Sequence, residues 1–567
     1  MKHVERASMN KTIMRAAHAI LKVIPKSLKY KLKRSEYLTN WYIGSVRRAG
    51  LFFDALSPQQ TQKLYNDWLV LQKRKVMPLK GEVANWQVII FSMRDEPHEK
   101  PASSNLDETT TYFFCNVSNP SNFSRIVQQL APNIPVLLIN QGDKLAPEAK
   151  SHFLDFLKGA DLVYCDTDSL DETGVRKEPR FLPDWNPDLM YSTAYVKSGV
   201  LLMPKLLEQV EHDDKLSISS IVVNLWFNNK LLDIQHVPLP LVHSLDSANV
   251  SSLEFDSVKA CIEKHASAHI TLDKKMKLNK LLWPNSNPLV SLLIPTRNSK
   301  ALVKACIESI LDKTIYTNYE ILLIDNGSNE KESLDYFDSL NKLENVRVIK
   351  YPQPFNYSAI NNFGAKHAKG SIIGLINNDI EVISPDWLNY MVGHAERDDV
   401  GCVGAKLLYS DTRIQHAGVV LGYGGGAGHA HKNFPRFHSG YLNRINATSN
   451  YSAVTAACLL VKRSVFERVG GLNEKDLAVA FNDVDFCLRV RELGLQNIYC
   501  AEAELYHHES VSRGLDISPE KVARFNRELS YLQNTWKKYI ENDPAYSPNL
   551  TLKRENFSIK TPDEYQR

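Results

Sequence analysis

VSLLIPTRN, residues 290–298, is an apolar run that ends on a proline and then turns polar. A short apolar run with such punctuation reads as a buried strand. It recurs as EILLID (320–325), VRVIKY (346–351) and SIIGLI (371–376). Between these lie the helical patterns ALVKACIESIL (301–311), KESLDYFDSL (331–340) and YSAINNFGAKHA (357–368). Strands alternating with helices imply right-handed crossovers and a parallel sheet, in which ligands bind beyond the carboxyl ends of the strands. The clusters TRN (296–298), DNGS (325–328) and NND (377–379) fall at those ends.

Working outward, 567 residues allow more than one core, roughly two to four units of ordinary size. Residues 81–250 give a weaker version of the same rhythm, with WQVIIF, TYFFCNV, PVLLIN and ADLVYCD as strands. LINQGDKLAP (138–147) echoes GLINNDIEVISPDW (374–387), and aligning the prolines without a gap sets Gln141 opposite Asp379. Setting His243 opposite His507 aligns 227–243 with 491–507 and places Ser219 opposite Asp483 and Ile221 opposite Asp485. Two registrations suggest duplication, with 265–288 as the linker.

The eight cysteines are scattered without a CxxC pair, which argues against a disulfide framework or zinc ribbon and fits a reducing compartment. No apolar run reaches the ~18 residues of a membrane span, and Ala16–Ile24 is broken by Lys22, so neither a span nor a cleavable signal is expected. Residues 1–50 hold twelve Lys/Arg against Glu5 and Glu36, a local balance of +10 in a chain of formal charge +4. Ile13, Ala17, Ile20, Leu21 and Ile24 recur at helical spacing among Lys11, Arg15 and Lys22. That pattern fits a basic helix on an anionic membrane surface or a solvated helix docked on the body, and both readings stay open. No nucleic-acid-binding motif accompanies it, so nucleic acid is not expected as a partner.

Asp325, at a strand end before Asn-Gly-Ser, is placed to accept from a base or ribose, or to close an Asx-turn. Asp379, with Glu381 two residues on, is a candidate anchor for Mg²⁺ or Mn²⁺, which need few protein oxygens when substrate phosphates supply the rest. In FNDVDFCLR (481–489) either Asp483 or Asp485 is a candidate general base. They point about 200° apart on a helix, so one faces the site, and Asp483 is preferred. Asp485 is also spaced to pair with Arg489. His507, with His508 as a register alternative, is placed to complete a metal shell or meet a diphosphate, and Arg513 to neutralise phosphate.

These motifs, with IQHAGVVLGYGGGAGHAH, TAACLLVKRSVFERVGGLNE and ELYHHESVSRG, resemble glycosyltransferase family 2, the GT-A fold enzymes, and particularly bacterial O-antigen rhamnosyltransferase-like members. The resemblance implies an α/β fold of two tandem GT-A domains, Rossmann-like with mostly parallel sheets, and helical extensions at both ends. The expected segments are a basic 1–80, a degenerate GT-A-like 81–264, the linker 265–288, a catalytic 289–515 and a C-terminal extension 516–567. The resemblance puts Pro295, Thr296, Asp325, Asn361, Asn377, Asn378 and Arg513 at the nucleotide sugar. It makes Asp379 the chief metal ligand, with Glu381, His507 and His508 beside it, and Asp483 the base. Asn377 replaces the first acid of the family's usual DxD motif.

The implied activity is metal-dependent inverting transfer, with rhamnose as one possible sugar. The donor would be a nucleotide-diphosphate sugar and the acceptor a lipid-linked surface glycan such as O-antigen. The chain would act in the cytoplasm, peripheral at the inner face of the bacterial cell membrane through residues 1–50. The rival is an inactive glycan-binding or scaffold protein, since the first half departs where chemistry would occur while keeping Asp143, Asp166 and Asp168. A dinucleotide-dependent oxidoreductase is disfavoured, because the glycines at 424–426 form no GxGxxG after the first strand.

Overall fold

Val290–Thr296, Tyr319–Asp325 and Ile372–Ile376 are strands whose apolar residues are buried on both faces. This is why they read as unbroken apolar runs rather than alternating ones. The computed structural model describes residues 56–75, 85–92, 110–117, 120–210, 216–244, 252–508 and 518–565. The basic segment 1–50 and Arg513 lie outside them. Among the described residues no helix is long and apolar enough to cross a membrane.

The chain divides into two units whose boundaries cut across the expected segments. The N-terminal unit is Leu56–Pro284 with Tyr441–Asn450 and Asn542–Arg567. It contains helix α1 (Pro58–Lys75) and strands β1 (Gln87–Ser92), β2 (Thr111–Asn116), β3 (Val136–Asn140), β4 (Lys144–Leu145), β5 (Leu162–Leu170), β6 (Arg176–Arg180), β7 (Val200–Leu202) and β8 (Ile234–Ser244). The sheet order is β2-β1-β3-β7-β5-β8-β4, with β6 on β5. Helix α2 (Ile218–Asn228) precedes β8. The stretch read as a linker instead forms an antiparallel hairpin of β9 (His269–Asp273) and β10 (Leu278–Leu282).

The second unit takes Asn285–Gly440 and Tyr451–Glu541. Its strands are β11 (Val290–Thr296), β12 (Tyr319–Asp325), β13 (Val346–Lys350), β14 (Ile372–Ile376), β15 (Ile380–Val382), β16 (Val400–Leu408), β17 (Ile414–His416), β18 (Val419–Leu421), β19 (Ala427–His429), β20 (Cys458–Lys462) and β21 (Gln496–His507). The main path is β13-β12-β11-β14-β20-β16-β21-β15. The β11–β14 block is parallel, crossed by helices α3 (Lys300–Lys313), α4 (Lys331–Leu340) and α5 (Tyr357–His367). A glycine inside a helix costs about 0.5–1 kcal/mol relative to alanine. Gly364 in α5 lets the helix sit close on the sheet: a Cβ there would lie 2.4 Å from Ile324 Cδ1 and that side chain would have to shift.

Both sheets set antiparallel strands beside their parallel blocks. In the second unit β20 enters between β14 and β16 and runs against both. In the N-terminal unit β7 does the same between β3 and β5. The two units thus repeat one topology, and strand pairing corrects the proline alignment. β3 and β14 are five residues each, and in both units three residues lead to the next strand. That strand opens opposite a histidine, Lys144 against His243 and Ile380 against His507. Asp143, not Gln141, therefore stands where Asp379 stands. The prolines mislead because they lie beyond the short strands β4 and β15, in connections of different length.

Helix α6 (Asn482–Arg491) matches α2, with Asp483 and Ser219 each the second residue. Their starts differ. Ser217 caps α2 in a capping box with Ser220, whereas Phe481 precedes α6 at φ 57° with no side-chain cap. Helix α7 (Pro519–Thr535) begins at Ser518, whose side chain accepts from the Lys521 N–H.

Candidate functional site

At the carboxyl ends of the parallel strands lies a cleft of about 690 Å³, lined entirely by the second unit. Pro295 and Thr296 close β11 at its floor, Asn377, Asn378 and Asp379 follow β14, Asp483 opens α6 and His507 ends β21. The antiparallel pairing of β15 with β21 brings the last two clusters together. Asp379 is buried, with Oδ1 3.2 Å from His507 Nε2.

The two asparagines hold this corner rather than charge it. Asn377 Nδ2 lies 3.2 Å from His507 Nε2, and its Oδ1 is 3.1 Å from the Tyr357 hydroxyl. Asn378 Nδ2 donates to Thr296 Oγ1 at 3.0 Å, tying the acid loop to the end of β11. Among the described residues no group of three or more His, Cys, Asp or Glu gathers as a metal cluster. One carboxylate and one imidazole on a cleft wall nonetheless suit a hard divalent cation that completes its shell with phosphate oxygens and water.

Asp483 is partly buried in the cleft wall. Its Oδ2 accepts from Ala456 N at 3.1 Å and its Oδ1 from Val484 N at 2.9 Å. Burial pushes its carboxyl above the ordinary range, against the lowering by these hydrogen bonds.

Other nominated residues stand back from the cleft. Asp485 bonds Arg489 Nε at 2.8 Å and Trp536 Nε1 at 2.9 Å, so it braces α6 and does not line the cleft. Glu381 faces Lys313 Nζ at 3.4 Å and His508 Nε2 at 3.3 Å, while His508 Nδ1 meets Ser410 Oγ at 2.7 Å. Asp325 accepts from Ser328 N, three residues on, at 2.8 Å, and its neighbour Asn326 reaches the cleft. Asn361 is fully buried in α5, donating to the Tyr357 carbonyl at 2.9 Å.

Sequence reasoning missed Tyr357, Gln415, His429, Phe481 and Phe525, all of which line the cleft. Tyr357 and His429 lay inside the quoted motifs YSAINNFGA and AGHAH, where a polar tip on an otherwise apolar or glycine-rich segment was the available signal. The glycines at 424–426 turn between β18 and β19, away from the first strand of the sheet.

In the N-terminal unit the corresponding acids are occupied internally. Asp143 is buried, accepts from Ser198 and from Asn140 N, and is pushed up by burial. His243 Nδ1 lies 2.5 Å from Asp168 Oδ1, whose partner oxygen receives Tyr65 at 2.5 Å and Arg176 at 2.6 Å.

Residues 291–470 match the model of glycosyl transferase family 2. Asp483 and His507 lie beyond that span. An uncharacterized protein, y4gI of Sinorhizobium fredii, is 40% identical over 464 residues, covering 78% of this chain and 51% of that one. The O-antigen biosynthesis protein RfbC of Myxococcus xanthus is 34% identical over 434 residues, 72% of this chain and 33% of that protein. The chain thus spans about half or less of the length of these curated relatives. Among solved structures, GalNAc-T7 with UDP, GalNAc and Mn²⁺ aligns with a TM-score of 0.38 and 16% identity, over 52% of this chain and 58% of that one. Residues 291–470 are thus similar to a glycosyl transferase family 2 domain.

Proposed function

We propose that the second unit is an inverting, metal-dependent glycosyltransferase that extends a lipid-linked surface polysaccharide from a nucleotide-diphosphate sugar. The observation that carries this is one cleft holding both the Asp379–His507 pair and a carboxylate of raised pKa, Asp483. Pro295, Thr296 and Asn326 form the floor for the nucleoside, and Asn377 and Asn378 fix the acid loop over it. A cation held by Asp379 and His507 would stabilise charge on the departing diphosphate.

Asp483 takes the acceptor hydroxyl's proton as that oxygen bonds to the anomeric carbon from the face opposite the leaving diphosphate. The carbon–oxygen bond to phosphate breaks, and the configuration inverts. Desolvation raises the basicity of Asp483, which improves proton transfer. The resemblance to rhamnosyltransferase-like enzymes and the similarity to an O-antigen biosynthesis protein support rhamnose and a surface glycan as the first donor and acceptor to try.

Residues 1–50 would supply the peripheral membrane contact. Deleting them should lower binding to phosphatidylserine vesicles, and undiminished binding refutes that contact. For the enzyme, purified protein is screened against UDP-, GDP- and dTDP-sugars with Mn²⁺ or Mg²⁺. Turnover abolished by both Asp379→Ala and Asp483→Ala is expected. Turnover persisting in both folded variants would remove the chemistry from this cleft and favour a glycan-binding scaffold.

A further inference from the structure

Phe481 occupies a left-handed backbone conformation, φ 57° and ψ 10°, which a bulky residue adopts only under constraint. The constraint is visible. Glu528 of α7 is buried, and its two carboxylate oxygens accept the N–H groups of Val479 and Ala480 at 3.0 Å each. Gln533 of the same helix donates to the Gly425 carbonyl at 2.8 Å, and Trp536 just beyond it holds Asp485. A Cβ on Gly426 would sit 2.7 Å from Leu529 Cδ1 and 3.7 Å from the Phe481 ring, so the glycine turn packs closely over both.

The strain presents a ring to the cleft. Phe481 and Phe525 both line it, with centroids 5.4 Å apart and planes at 45°, and Phe525 stays 38% exposed. Asp483 is two residues from Phe481. In the N-terminal unit the same helix start is an ordinary serine capping box, so the topology does not require the strained phenylalanine.

Resting on the transferase reading above, we propose that Phe481 and Phe525 form the acceptor subsite: a sugar ring of the acceptor glycan lays its C–H face on them, which sets a hydroxyl at Asp483. Glu528 is the positioning residue that holds this aromatic wall. Aromatic faces suit the apolar face of a pyranose, whose hydroxyls then meet polar groups such as Gln415 and His429 on the cleft walls. Gln415 is buried, and its Oε1 accepts no hydrogen bond from the described residues. A bare polyprenyl chain would leave that acceptor unmet.

Saturation-transfer NMR on the full-length protein tests this with methyl α-L-rhamnoside, methyl α-D-galactoside and methyl N-acetyl-β-D-glucosaminide, and with decyl phosphate as the lipid probe. Transfer to ring C–H protons of at least one glycoside is expected. The signal should persist in Phe525→Tyr and fall about tenfold or more in Phe525→Ala and Phe525→Leu. Equal signals from the wild type and Phe525→Leu, binding of decyl phosphate alone, or no transfer to any glycoside would each overturn the subsite. Donor hydrolysis by the wild-type protein is followed separately. Glycoside binding without hydrolysis counts against the transferase reading, and hydrolysis without glycoside binding counts against the subsite.

Discussion

Replacing Asp483 by Asn removes the base while changing shape least. General-base catalysis contributes roughly 10²–10⁴ in rate, so glycosyl transfer should fall by about that factor. Stability should move little. Ala456 N and Val484 N donate to separate oxygens of the carboxylate, and an amide keeps only one acceptor, a loss of about 1 kcal/mol. Against this, the variant no longer holds a desolvated anion.

The pH dependence separates the two effects. Because the folded-state pKa of Asp483 is raised, its protonated form favours the fold below the ordinary carboxylate range, and that contribution is lost as pH rises through the raised value. The Asn variant should therefore gain in Tm relative to wild type between acid and neutral pH. The rate has the opposite sense: wild-type turnover should fall as acid protonates Asp483, with its limb above the usual carboxylate range. Stopped transfer assays across pH, with thermal unfolding of both proteins, supply the measurements. A folded Asn variant that keeps more than about a tenth of the wild-type rate would refute the assignment of the base.

Asp379→Asn should weaken Mn²⁺-dependent nucleoside diphosphate binding by about tenfold or more in calorimetric titration, and chelation should abolish turnover until Mn²⁺ is restored. Full activity in chelator would exclude the metal role. Asp168→Asn in the N-terminal unit leaves Arg176 facing a neutral amide and should cost roughly 3–5 kcal/mol of stability, read from Tm, without altering the turnover of the molecules that remain folded. Unchanged Tm would contradict the closed network described there. Glu528→Ala strands two backbone N–H groups and should lower both Tm and kcat, with Glu528→Gln restoring part of each. A fall in Tm alone would reduce Glu528 to a structural residue.

The strands were legible because each is buried on both faces, so VSLLIP and SIIGLI could hardly be anything else. The duplication was legible too, yet its register was displaced by two residues, since the prolines that anchored it lie past the strands whose pairing sets register. Asp379, His507 and Asp483 converge because β15 pairs with β21 and α6 starts beside the same cleft, which polar punctuation at strand ends foreshadowed. The roles of Asp485 and Phe481 were not legible. The pairing of Asp485 with Arg489 follows from helical spacing, but its bond to Trp536 joins residues 51 apart. Nothing local in α7 marks Glu528 as the acceptor for a loop so far upstream, and no propensity scale puts a phenylalanine at positive φ.

The division of the chain also bears on the order of folding during synthesis. The N-terminal unit is made first, but Trp68 donates to Asn549, Asn549 reaches the Pro238 carbonyl at 2.8 Å, and Arg444 donates to Ala545 at 2.7 Å, all within that unit. Its buried polar groups therefore wait, incompletely bonded, until the ribosome has released residues 542–565. The second unit ends at Glu541, so the last stretch made belongs to the unit that was begun first. At synthesis rates of about 5–20 residues per second, those polar groups stay incompletely bonded for tens of seconds, an interval in which holding chaperones would find them.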